Sequence, residues 1–73
     1  MYVATVKLAH GLIRKYGQPT RTLWEALARL EWAKADWCSR GYSILQSVSY
    51  EAVILDDETR AAGVLQVKRL PIP

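Results

Sequence analysis

The chain contains one cysteine, Cys38, and one histidine, His10, and this scarcity excludes more chemistry than any other feature. A lone cysteine cannot close an internal disulfide, which suits a reducing compartment such as the cytoplasm. Zinc lacks a ligand set. A cysteine–histidine dyad lacks an orienting third group, and Cys38 falls near a helix C-terminus, where the dipole disfavours a thiolate. Cys38 is therefore read as a small buried hydrophobe. The glycines Gly11, Gly17, Gly41 and Gly63 stand singly at element boundaries, so no phosphate-cradling loop is formed. No apolar run approaches the roughly 20 residues of a membrane span. The start, Met1 to Lys7, lacks the charged and long apolar regions of a signal peptide and reads as a strand. On this inventory no catalytic residue, cofactor site or metal site is expected, and the chain is read as non-enzymatic.

What is present suits a small globular domain spanning residues 1–73. The 73 residues are 51% hydrophobic, with three Trp and four Tyr, although a domain of this size buries only about 60% of the surface its unfolded chain exposes. The net charge of +3 hides a segregation. Residues 1–21 carry Lys7, Arg14, Lys15 and Arg21 and no acid, whereas Glu51, Asp56, Asp57 and Glu58 make residues 42–63 acidic. A basic end and an acidic turn can steer an oriented partner. The acidic run itself has neither the length nor the spaced ligands of a calcium loop and reads as a solvated turn.

One helix organises the chain, from Thr22 to Arg40. Thr22 and Glu25 have the spacing of a capping box, in which the Thr22 hydroxyl takes the Glu25 N–H and the Glu25 carboxylate returns to the Thr22 N–H. Leu23, Ala26, Leu30, Ala33 and Trp37, with Leu27 and Cys38 beside them, recur at helical spacing and define an apolar stripe. Gly41 can adopt the left-handed turn that ends the helix. Trp32 falls on the opposite, charged side among Glu25, Arg29, Asp36 and Arg40, with Ala28 and Ala35 a turn away, so it is expected to lie outside the core, either as a partner contact, or as a scattered surface apolar residue or one covered by a loop or the C-terminal tail. Trp24 is expected to close the edge of the core.

The flanking segments alternate with the period of strands. Tyr2, Ala4, Val6 and Leu8 share one face, and His10-Gly11 reads as a two-residue turn that sets Leu8 opposite Ile13, Thr5 opposite Tyr16 and Lys7 opposite Arg14. Ala9, Leu12, Ile13 and Tyr16 also fit a short helical stripe, but Gly11 weakens a helix by about 1 kcal/mol and the hairpin is preferred. Beyond Gly41, Tyr42, Ile44, Val48 and Tyr50 share one face, with Ser43, Ser47 and Ser49 on the other. The alternation slips near Glu51, where a bend, bulge or turn is expected, and Ala52 to Leu55 continue extended. Gly63 to Leu70 forms the last strand, with Pro71 and Pro73 preventing further pairing.

This order, β-β-α-β-β(-β), predicts an α+β two-layer sandwich, with one amphipathic helix packed on an antiparallel sheet. The uncovered sheet face, or a sheet edge, is where a partner would bind, and the chain is expected to be a monomer or an edge-strand dimer. Candidate partner contacts are Trp32, Arg29 and Asp36 on the helix and Lys7, Arg14, Lys15 and Tyr16 on the hairpin. The hairpin set mixes cations with an aromatic ring, as nucleic-acid-binding surfaces do. A small basic nucleic-acid binder is therefore the alternative to a protein-binding module.

The layout of a basic strand pair, Thr22-Leu23-Trp24-Glu25-Ala26-Leu27 opening a helix, Gly41-Tyr42-Ser43-Ile44-Leu45 and a terminal hairpin resembles small phage and mobile-element accessory proteins, among them anti-CRISPR proteins. The resemblance covers most of the chain and lies in size and element order. It implies a non-catalytic inhibitor that occludes a nucleic-acid-handling bacterial complex.

Overall fold

The computed structural model describes residues 1–71. It has the expected α+β layout, with β1 (Tyr2–Leu8), β2 (Ile13–Thr20), α1 (Leu23–Ser39), β3 (Ser43–Val48), β4 (Glu51–Leu55) and β5 (Ala61–Arg69). The strands form one five-stranded sheet in the order β2-β1-β5-β4-β3, each neighbour antiparallel. The helix thus connects the two edge strands and crosses one face of the sheet. Pro71 follows the end of β5, and Pro73 lies outside the described residues. Among the described residues no helix is long and apolar enough to cross a membrane.

Both helix ends are set locally. Thr22 is the N-cap, and its hydroxyl accepts the Glu25 N–H at 3.3 Å. The Glu25 carboxylate returns to the Thr22 hydroxyl at 3.1 Å instead of to the backbone N–H expected of a full capping box. At the other end the Gly41 N–H donates to the Cys38 carbonyl and the Tyr42 N–H to the Trp37 carbonyl, the two bonds of a Schellman motif. Its usual apolar contact is the edge-to-face pair of Trp37 and Tyr42, 5.0 Å apart.

The core comprises Ala26, Leu30 and Ala33 of α1 against Ala4 and Val6 of β1, Ala52 and Ile54 of β4, and Leu65 and Val67 of β5. On α1 the fully covered positions are two alanines and one leucine, because a small residue lets the helix backbone come close to the sheet. The helix is therefore rotated from the orientation that its larger apolar residues suggest. Leu23, placed in the buried stripe by the sequence, is 42% exposed, and Trp24, expected at the edge of the core, is 82% exposed. At 100° per residue Trp24 points roughly 150° away from the mean direction of Ala26, Leu30 and Ala33. The same rotation exposes Cys38, which is not the buried hydrophobe expected of it.

The hairpin preferred for the N-terminal segment forms, with its register moved by one. Lys7 pairs with Ile13, Val6 with Arg14, Thr5 with Lys15 and Ala4 with Tyr16. The cause is the loop, which has three residues instead of two. The Gly11 N–H bonds to the Leu8 carbonyl and the Leu8 N–H to the Leu12 carbonyl, with Gly11 at φ 99°, so the glycine takes the left-handed third position that such loops require. A one-residue slip reverses which side chains share a face. The expected opposition of Lys7 and Arg14 is thereby removed.

The slip near Glu51 is a turn at Ser49 and Tyr50 between β3 and β4. Ile44 and Tyr42 reach the core as expected, but Val48 and Tyr50, assigned to the same buried face, are exposed, because the register of β3 shifts between Gln46 and Val48 and Tyr50 falls in the turn. On the outer face of β1, Val3 and Thr5 are buried although no layer covers them. Each is shielded by long neighbours, Thr5 between Lys15 and Gln66 and Val3 beside Lys68.

The acidic run is the β4–β5 turn. Asp56 Oδ1 accepts the N–H groups of Glu58 and Arg60, each at 2.9 Å, and Oδ2 accepts Arg60 Nε at 3.3 Å. The Arg60 backbone N–H is the main cause of an Asp56 pKa lowered from its ordinary value of 3.8, with the Glu58 N–H and the Arg60 charge adding to it. Since the folded pKa is lower than the unfolded one, the stability contributed by this carboxylate is complete above the ordinary value and is lost as pH falls through the folded value. A carboxyl-detected NMR titration should give Asp56 a midpoint below 3.8 that rises only in part in Arg60→Ala, which keeps the backbone donor. A midpoint at or above 3.8 in the parent protein contradicts this account of the turn.

Candidate interaction surface of the helix and strand β2

Strand β2 is interrupted where it passes the helix. Tyr2 pairs with Thr20 and Ala4 with Tyr16, leaving Gly17, Gln18 and Pro19 as a bulge opposite Val3. Gly17 adopts φ 77° there, and a Cβ built on it would lie 2.7 Å from Arg29 Nη1. Arg29 reaches across from α1 and donates to the Gln18 carbonyl. Glycine serves twice at this position, since only it takes the left-handed backbone freely and leaves room for the guanidinium. Arg29 is thus a tie between helix and strand.

Above the bulge lies an open groove of about 350 Å³ lined by Lys15, Tyr16, Gly17, Arg29 and Trp32. A second hollow of about 330 Å³ adjoins it, bordered by Arg14, Tyr16, Asp36, Trp37 and Arg40. Tyr16 stands between the two. Its ring meets Trp32 edge to face at 6.5 Å, and its hydroxyl accepts the Trp37 indole N–H at 2.8 Å. With the Trp37–Tyr42 pair, these contacts make a continuous line of four aromatic rings along one flank of the helix. Arg40 lies over the Trp37 ring at 5.3 Å and pairs with Asp36 at 3.0 Å.

Six of the seven sequence candidates therefore border one continuous surface, but their states differ. Trp32 is 66% exposed, as its position opposite the stripe requires. Arg29 and Asp36 are engaged within the chain, by the Gln18 carbonyl and by Arg40. The hairpin cations divide between the two sheet faces: Arg14 and Tyr16 alternate toward the helix with Val6 and Ala4, while Lys7 and Lys15 alternate outward with Ile13 and Thr5. Lys15 still borders both grooves, whereas Lys7 borders neither.

Trp24 is the residue that sequence reasoning missed. Trp24, Ala28 and Trp32 stand four residues apart, so with Ala35 they form the outward stripe of α1. That stripe carries two indoles on a floor of alanines. Beside it, between α1 and the end of β3, lies an open hollow of about 550 Å³ lined by Trp24, Leu27, Ala28, Glu31, Lys34, Gln46 and Ser49. Lys34 closes its rim with bonds of 2.6 Å to Glu31 and to the Gln46 amide oxygen. A stripe centred on Ala26, Leu30 and Ala33 would have revealed Trp24, had alanine spacing been weighted above side-chain size. In comparisons with protein-family models, curated proteins and solved structures, nothing matches this chain.

Proposed function

We propose that this protein is a non-catalytic protein-binding module that acts in a bacterial cytoplasm, as an inhibitor or adaptor of a nucleic-acid-handling complex of the kind phage and mobile-element accessory proteins target. The observation that carries the reading is the outward stripe of α1, where Trp24 and Trp32 stand 82% and 66% exposed over Ala28 and Ala35. A tryptophan open to water on a flat small-residue surface offers a large rigid contact area, and such residues dominate protein interfaces. Direct nucleic-acid binding has less support. Its phosphate contacts need several free cations on one surface, whereas Arg29 and Arg40 are engaged internally and Lys7 and Arg14 alternate to opposite faces.

Affinity capture from a bacterial lysate, with and without nuclease, tests the proposal when the parent is compared with the Trp24→Ala/Trp32→Ala double variant. A protein partner is expected to survive nuclease and to be lost from the double variant, with affinity falling about 100-fold or more if each indole contributes as an interface anchor. A submicromolar complex with free DNA or RNA that weakens steeply with salt would overturn the proposal in favour of the nucleic-acid binder.

A further inference from the structure

The two edges of the sheet are guarded unequally. Strand β2 carries Arg14, Lys15, the Gly17 bulge and Pro19, the devices that stop an edge from accepting another strand. Strand β3, Ser43-Ile44-Leu45-Gln46-Ser47-Val48, has no charged residue and no proline, and its register shift, between Gln46 and Val48, falls at its end, leaving the Ser43–Gln46 stretch regular. Among the described residues its outer side has no neighbouring strand. Leu45, near its middle, is 57% exposed. On the outer face Leu45 continues a row with Val53 of β4 and Val64 of β5, so the apolar row reaches the open edge and stops there.

We propose that β3 pairs antiparallel with β3 of a second copy of this chain about a two-fold axis, joining the two five-stranded sheets into one. The occupant follows from the edge itself. A sheet that kept β3 open for a foreign strand would also have to keep it from its own copies, which reach it at the protein's full concentration. No charge on β3 opposes self-pairing, although each chain carries a net charge of +3 elsewhere. A two-fold pairing is self-complementary, and it brings the two Leu45 side chains within a residue or two of each other across the seam. Both helices then lie on the same side of the joined sheet. Trp32, which packs on Tyr16 of the opposite edge strand, stays away from the seam, so the pairing does not draw on it. One strand pair is a small interface, so association belongs in the micromolar to millimolar range instead of the nanomolar one.

Sedimentation equilibrium over roughly 10 µM to 1 mM is the test. The weight-average mass of the parent should rise from 8.3 kDa toward twice that value. Leu45→Lys, which sets two ammonium groups against each other at the seam, should hold the mass at the monomer value, whereas Lys15→Glu on β2 and Trp32→Ala on the helix should not. In the parent, the β3 amides should gain hydrogen-exchange protection as concentration rises, a readout that does not depend on any variant folding. A parent that stays monomeric throughout, or a dimer that survives Leu45→Lys, overturns the proposal.

Discussion

Leu30→Ala is expected to lower the stability of this protein by about 2 to 5 kcal/mol, the range for emptying a well-packed leucine site. Leu30 is among the largest of the fully covered side chains, with Ile54 and Leu65, and it faces strands whose inner residues, Ala4, Ala52 and Ile54 among them, are also buried. Those neighbours are anchored in a hydrogen-bonded sheet and cannot collapse into the space left behind. A domain of this length has a total stability of roughly 4 to 11 kcal/mol, so the loss is a large share of it. Trp24→Ala, by contrast, removes a side chain already in water and should cost no more than about 0.5 kcal/mol. Trp32→Ala should fall between, at about 0.5 to 1.5 kcal/mol, because it gives up the edge-to-face contact with Tyr16. Urea unfolding with unchanged denaturant dependence measures all three. Equal losses in Leu30→Ala and Trp24→Ala would show that the helix presents a different face to the sheet.

Gly63→Ala is expected to cost about 1 to 3 kcal/mol, the range for overpacking, although it adds a single methyl group. Gly63 lies in β5 between Leu8 of β1 and Ile54 of β4, next to the point where the β4–β5 register shifts. A Cβ there would lie 2.9 Å from the Lys7 carbonyl oxygen and 3.4 Å from the Leu8 Cα. Both are backbone atoms of a central strand, so the clash cannot be relieved by a side-chain rotation. The β1–β5 ladder must shift instead. Gly17→Ala meets the movable end of Arg29, which is a softer obstacle, but it also strains the left-handed backbone. Amide exchange can distinguish the two, since Gly63→Ala should loosen β1 and β5 together and Gly17→Ala only the bulge. Unchanged exchange in β1 of Gly63→Ala would mean that β5 takes up the methyl alone.

What could be read from the sequence is what local chemistry decides. Thr22, Glu25 and Gly41 fix the helix ends through bonds within a turn, and they are where the sequence puts them. Strand alternation gave the shared face of Tyr2, Ala4, Val6 and Leu8 in β1 and the break near Glu51. The two failures were decided by tertiary space. Trp and Leu outrank Ala in hydrophobicity, yet close approach of α1 to the sheet selected Ala26 and Ala33 for the interface and turned Trp24 outward. The hairpin register depended on whether Gly11 was the second residue of a two-residue loop or the third of a three-residue one, and both put a glycine beside His10. Of the candidate surface, exposed Trp32 was legible from periodicity. The Gly17 bulge that captures Arg29, and the order of strands in the sheet, were not, because alternation tells which way a side chain faces and not which strand lies beside it.

That strand order gives β5 a role in how the chain assembles. The hairpins β1–β2 and β3–β4 are joined by short loops and can form as separate local units. Among the described strands β5 is the one that joins them, pairing with β1 on one side and β4 on the other. The β1–β5 ladder links residues about as far apart as this chain allows, Tyr2 with Arg69 and Leu8 with Gly63. On a ribosome, where synthesis proceeds from the N-terminus, the helix and four strands emerge before their shared neighbour exists, and Leu30 has no complete core to enter until Leu65 and Val67 arrive. Folding of the nascent chain is therefore held back until the last strand is made.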